Sequence, residues 1–168
     1  FVSIKSIVDF NTEKFMIGAS DRDFLHIQKY HTLKQFSPIM KEEMIEPNAR
    51  LFLENHIIRG DKGDGVPNIL SDDNVFVEGF RQTPMSKKKV DAIIEDVNDG
   101  ELLYAASWYR NYCRNKKLID LSETPSDLKT QIINTYDEQD PWLKKGKVFP
   151  YLVAKRCNNL IESVQEFI

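Results

Sequence analysis

"KFMIGASDRDFLHIQ", residues 14–28, decides the fold. Its first half is a short apolar run ending in small residues, the pattern of a buried strand, parallel in kind. Its second half offers Phe24, Leu25 and Ile27 to a helix that packs back on the sheet. A strand running straight into a helix through Ser20, Asp21, Arg22 and Asp23 puts both carboxylates at the strand's carboxyl end. In open α/β sheets, active sites form at that end. "LKQFSP", residues 33–38, reads as a second short strand stopped by proline.

From Glu46 the periodicity becomes helical. In "EPNARLFLENHIIRG", Pro47 suits a first helical turn, Leu51, Phe52, Asn55 and Ile58 trace one face, and Gly60 ends the helix. A polar connection runs from Asp61 to Pro84. "MSKKKVDAIIEDV" is a further helix, with Ser86 as N-cap and Val90, Ile93, Ile94 and Val97 facing inward. "GELLYAASWYRNYC" follows as another helix, with a connection from Asn115 to Pro125. "SDLKTQIINTYDEQ", capped by Ser126, and a continuous final helix in "KVFPYLVAKRCNNLIESVQEFI" complete the chain. The expected fold is therefore α/β at the start and all helix afterwards.

The totals suit such a fold. The 168 residues suffice for one domain or two small ones, and 41% hydrophobic with 29% charged residues is ordinary for a globular chain. No run approaches the ~20 apolar residues of a membrane span. Cys113 and Cys157 match no metal spacing and read as reduced thiols. The chain opens at Phe1 in mid-pattern, with helical spacing at Phe1, Ile4, Ile7 and Val8, and so reads as part of a larger protein. A net charge of −3 argues against a chain-wide nucleic-acid footprint, but the charges are segregated. Basic patches lie at Lys87–Lys89, at Arg110, Arg114, Lys116 and Lys117, and at Lys144, Lys145 and Lys147. Acidic ones lie at Asp21/Asp23, Asp61/Asp64, Asp72/Asp73 and Glu95–Asp99. Such a chain can hold metal in one zone and a polyanion on another.

Each candidate site has a plainer alternative. Asp21 and Asp23 can both reach one hard cation; equally, Asp21 can cap a helix whose dipole Asp23 favours. "DKGDG", residues 61–65, resembles the start of a calcium loop, but Gly63 and Gly65 stand at positions that loop gives to oxygen ligands, and Asp72 stands where it has glutamate. His26, His31 and His56 form no zinc spacing and read as surface or packing residues. Ser37 and Ser71 have no nucleophile context. Lys87–Lys89 with Ser86 can hold a phosphate at a helix start, or simply be a solvated face.

The order "IGASDRDFLHIQKY", "LKQFSP", "HIIRGDKGDGVPNI" resembles the flap endonuclease and 5′-nuclease family, most closely its T-even bacteriophage RNase H branch, over the whole chain. The resemblance implies the carboxyl edge of a parallel-sheet, PIN-like nuclease core in residues 1–40. It implies a helix–three-turn–helix DNA-binding region in 41–100 and a helical C-terminal region in 101–168. It implies that Asp21, Asp23 and Asp64 are catalytic and that Asp21, Asp23, Asp61 and Asp64 bind the second of the two Mg2+ of the full-length enzyme, with Mn2+ as a substitute. The reaction is then phosphodiester hydrolysis of RNA primers and 5′ flaps. Ser86, Lys87, Lys88, Lys89 and Arg22 would meet the phosphates of duplex or flap DNA or an RNA–DNA hybrid. A single-strand-binding protein or sliding clamp would be a replication partner, and the setting the cytoplasm of the infected host. Two departures stand out. Gly65 replaces the family's asparagine, and "VPNILSDDNVFVEGFRQTPMSKKKV" replaces its compact glycine hairpin, which puts a monovalent-cation site in doubt. The family's first metal site and its basic arch lie upstream of this sequence, so the 168 residues alone are expected to be inactive. A non-catalytic duplex-binding or replication-partner module is the rival reading.

Overall fold

A computed structural model of the chain describes residues 14–30, 33–77, 80–99, 103–138 and 146–167. The apolar spacing at Phe1 to Val8, His31, Gly100, Lys144 and Lys145 lie outside the described residues. The chain divides into two units, Phe1–Lys129 and Thr130–Ile168.

The first unit begins with a three-stranded sheet. Strand β1, Phe15–Gly18, pairs parallel with β2, Leu33–Ser37, and β2 pairs antiparallel with β3, Glu42–Met44. A 3-10 helix over Arg22–Lys29 connects β1 to β2 and buries Leu25, His26 and Ile27. The parallel pairing is as expected, but β1 is only half buried: alternate residues face out, and Met16 is 59% exposed. β3 was not legible in the sequence. It follows a turn in which Lys41 adopts φ +58°, and its residues Glu42 and Glu43 carry no strand signature.

Helix α1, Ala49–Arg59, starts two residues after Pro47, because Asn48 caps it by accepting from Leu51 N at 3.0 Å. Its buried stripe is Ala49, Leu53, Ile57 and Ile58; Leu51 is exposed. Apolar side chains lie on most sides of this helix, so periodicity alone did not fix its inward face. Helix α2, Lys87–Asp99, behaves as read: Ser86 Oγ accepts from Lys89 N, Val90 and Ile93 are buried, and Ile94 and Val97 pack beside them. A 3-10 turn at Leu103–Ala105 precedes α3, Tyr109–Ile119. The expected aromatic helix is therefore broken, and helix extends through residues 115–119 where a connection was expected. Asn115 explains the extension. It is fully buried and donates to the carbonyls of Ile57 and Pro67, both at 2.8 Å, which holds α3 against α1. Leu53, Ile57, Ile58, Val66, Ile69, Val90, Ile93, Tyr112 and Ile119 form the core.

Helix α4, Ser126–Asp137, forms where expected, with Ser126 as its first helical residue and not its cap. In the second unit the expected continuous final helix breaks into α5, Val148–Ala154, and α6, Asn158–Glu162. Arg156 at φ +54° reverses the chain, and Cys157 N bonds the Leu152 carbonyl at 3.0 Å, a C-terminal closure more often built on glycine.

His26 gives the fold a pH dependence. It is 1% exposed, and neither ring nitrogen has a partner in the structure. Burial, opposed by Asp120 and aided by Lys29 and His56, pushes its pKa down to about 4. The unfolded chain therefore binds a proton that the fold refuses between pH 6.5 and about 4. The stability tied to His26 is full above 6.5 and is lost as pH falls. The wild type is expected to lose about 2 kcal/mol more between pH 7 and pH 5 than His26→Leu does, measured by urea unfolding. Parallel pH profiles would contradict this.

Candidate metal centre

The turn after β1 is built from below. Gln35, fully buried on β2, donates its Nε2 to the carbonyls of Ala19 at 2.9 Å and Asp21 at 2.6 Å. Ser20 Oγ and the buried Ser37 Oγ lie 2.7 Å apart. These bonds fix the strand-to-helix turn that carries Asp21 and Asp23. Asp21 Oδ1 accepts from Asp23 N at 3.0 Å, so Asp21 does cap the 3-10 helix. Asp23 is the carboxylate left to face inward. Arg22 is exposed.

The second wall is the chain leaving α1. Gly60 sits at φ +67°, and a Cβ there would stand 2.4 Å from the Val66 carbonyl oxygen. Residues 61–66 close as a tight loop, with Val66 N bonding Asp61 O at 2.7 Å. Asp61 organises it: Oδ1 accepts from Gly63 N at 2.7 Å and Asp64 N at 3.2 Å. Its Oδ2 faces His56 Nε2 at 3.1 Å.

The two walls meet. Ligand atoms of Asp23, His56 and Asp61 all lie within 4.8 Å of one another. His56 Nδ1 stands 4.0 Å from Asp23 Oδ1. These three, with Asp64 and the fully buried His26, line a cleft of about 300 Å³ closed by Val66, Leu118, Ile119 and Leu121. Burial, then Asp21, raises the Asp23 carboxyl above its ordinary range; His56 opposes this, and Asp61 and Asp64 add to it. Asp21, Asp61 and Asp64 thus all act electrostatically on Asp23. Burial also works to raise Asp61, but the Asp64 N–H, His56 and the Gly63 N–H outweigh it and hold that carboxyl low. Carboxylates gathered in one cleft with an imidazole fit a divalent cation, which would relieve the repulsion that raises Asp23.

Of the expected ligands, Asp23 and Asp61 come together, and Asp64 shares their cleft. Asp21 is exposed and turned to its own helix. His56, whose spacing suggests only a surface or packing role, stands in the cleft beside Asp23 and Asp61. The sequence signal for it is its place in the last turn of α1, just before Gly60 and Asp61. The lysines divide. Lys87 and Lys88 are exposed and have no ion pair among the described residues, whereas Lys89 Nζ donates to the Pro84 carbonyl at 3.2 Å. The second basic patch is partly paired. Arg110 and Arg114 both bind Asp73, Lys116 lies 3.5 Å from Glu123, and the "polar connection" is tied down by Asn68, Ser71 and Asn111. No helix among the described residues is long and apolar enough to cross a membrane.

A family model described as T4 RNase H, C terminal, matches residues 48–167. Ribonuclease H of Enterobacteria phage T4 is 32% identical over 159 residues, covering 92% of this chain and 52% of that protein. The chain thus spans about half the length of the relative it matches.

Proposed function

The chain belongs to the family of T4 RNase H C-terminal domains, and from that premise we propose that it is the C-terminal part of a phage replication 5′-nuclease. Its substrates are RNA primers and 5′ flaps, and its reaction is metal-dependent phosphodiester hydrolysis. The observation that carries this reading is the meeting of Asp23, His56 and Asp61, from two separate elements, in a cleft that Asp64 also lines. Divalent ions, Mg2+ or Mn2+, supply an activated water and stabilise the charge that develops on the phosphate. Asp23, Asp61 and Asp64 would hold one such ion, and Asp21 fixes the turn that presents Asp23. Residues up to 40 form the edge of the nuclease core, 41–100 the DNA-binding region and 101–168 the helical remainder. The rest of the metal-binding set comes from sequence outside these 168 residues.

The rival, a duplex-binding module whose aspartates only shape turns, draws on the caps made by Asp21 and Asp61. Asp64 separates the two, because its side chain shapes no turn among the described residues. In the full-length protein, Asp64→Asn is expected to slow cleavage of a 5′-labelled flap in Mg2+ by at least about a hundredfold. Duplex affinity should stay within about twofold. Unchanged cleavage would favour the module.

Ser86 caps α2 and presents the exposed Lys87 and Lys88 to solvent. Phosphate contacts there position the duplex without reading bases. Replacing both lysines by alanine is expected to weaken binding alike on unrelated duplex sequences. The slope of log K against log salt should fall by about 2. Filter binding at graded salt measures it, and an unchanged slope would remove these lysines from the interface.

A further inference from the structure

His56 makes two different approaches to carboxylates. Its Nε2 lies 3.1 Å from Asp61 Oδ2, a hydrogen-bond distance. Asp61 accepts two backbone N–H groups on its other oxygen, the arrangement of an ionised, acceptor-only carboxylate. With Nε2 donating to that carboxylate, Nδ1 is the ring nitrogen left to meet a cation. That Nδ1 is buried and has no hydrogen-bond partner, and the nearest carboxylate oxygen, Asp23 Oδ1, is 4.0 Å away. A lone pair and a carboxylate oxygen facing each other at this distance leave room for a cation. Two donors to one ion, each about 2.1 Å from it, stand about 3–4 Å apart. His26, buried and without a partner at either ring nitrogen, lines the same cleft.

We infer that His56 is a nitrogen ligand of the divalent ion, presenting Nδ1 while Asp61 orients the ring through Nε2, and that the site for this reason favours Mn2+ over Mg2+. The inference rests on the metal-dependent reading above and refines it. A carboxylate that fixes the tautomer of a ligating histidine is a recurrent arrangement in metal sites. Imidazole suits transition ions, whereas Mg2+ prefers an all-oxygen set and retains water.

The test is pulsed electron paramagnetic resonance of Mn2+ bound to the full-length protein, with calorimetric titration of Mn2+ and Mg2+. The wild type is expected to show nitrogen-14 modulation on the Mn2+ signal. His56→Gln should lose it and His26→Gln should keep it. His56→Gln should also bind Mn2+ about tenfold more weakly while its Mg2+ affinity changes less than about twofold. A wild-type spectrum without nitrogen modulation is decisive even if a variant fails to fold. Mn2+ bound with no nitrogen modulation, but lost in Asp23→Asn, overturns the histidine assignment and leaves the nuclease reading intact. No Mn2+ or Mg2+ binding at all overturns both.

Discussion

Asp23→Asn in the full-length protein is expected to abolish Mg2+-dependent cleavage and, at the same time, to leave the metal-free fold as stable as the wild type or more so. The two effects come from one cause. Asp23 is the carboxylate of the first pair that approaches His56 and Asp61, and burial together with Asp21, Asp61 and Asp64 disfavours its charge. A carboxyl whose folded pKa is raised opposes folding at neutral pH, where it is ionised. Asparagine keeps the size and removes the charge, which relieves that opposition while deleting a ligand. Without metal, the variant should melt no lower than the wild type. With Mg2+ at about a hundred times its Kd for this site, the wild type should gain roughly 2.7 kcal/mol more than the variant does. Thermal melts with and without Mg2+ read this directly. An equal Mg2+ shift in both proteins would take Asp23 out of the site, and a large metal-free destabilisation would make its role structural.

Gly60→Ala is expected to cost about 3 kcal/mol or more, the largest such effect among the described glycines. Two penalties coincide at this position. The backbone lies at φ +67°, ψ −177°, a region essentially restricted to glycine. The added methyl would also stand 2.4 to 2.6 Å from backbone atoms of Val66 and Pro67. Those atoms cannot yield cheaply, since Asn115 and Arg114 both bond the Pro67 carbonyl. For a chain of this size the loss corresponds to roughly 6–12 °C in Tm. Gly65 provides the contrast. It has φ +75° but nothing near its missing Cβ, so Gly65→Ala should cost only about 1 kcal/mol. Similar losses at the two glycines would mean that the close approach at Gly60 does not constrain the loop.

The sequence was most readable where one local rule acted alone. The apolar run into Asp21 and Asp23, the stop at Gly60, and the cap by Ser86 before Val90 and Ile93 each depend on neighbours a few residues away, and each is found in the fold. Legibility failed where distant partners decide. Asn115 is an unremarkable polar residue until it bridges α1 and the Pro67 carbonyl, and only then does α3 extend to Ile119. Arg110 and Arg114 looked like a polyanion surface because Asp73, which binds both, lies far back in the chain. Asp61 and Asp64 are alike on paper. The loop gives the first a backbone-organising oxygen and leaves the second exposed on the cleft. His56 was overlooked because its partners, Asp23 and Asp61, are united by packing of α1 against the 3-10 helix and by no short motif. The single final helix was lost to Arg156, a residue with no marked tendency to the left-handed conformation it adopts.

The central claim is that the cleft between the end of β1 and the end of α1 serves metal-dependent phosphodiester hydrolysis. Cleavage of a 5′-labelled flap duplex in Mg2+ tests it most directly, with three proteins compared: the 168 residues alone, the full-length protein, and the full-length protein bearing Asp23→Asn. The expected result is short labelled products from the full-length protein only. Duplex binding without cleavage by the full-length protein, or equal cleavage by the Asp23→Asn protein, would contradict the claim.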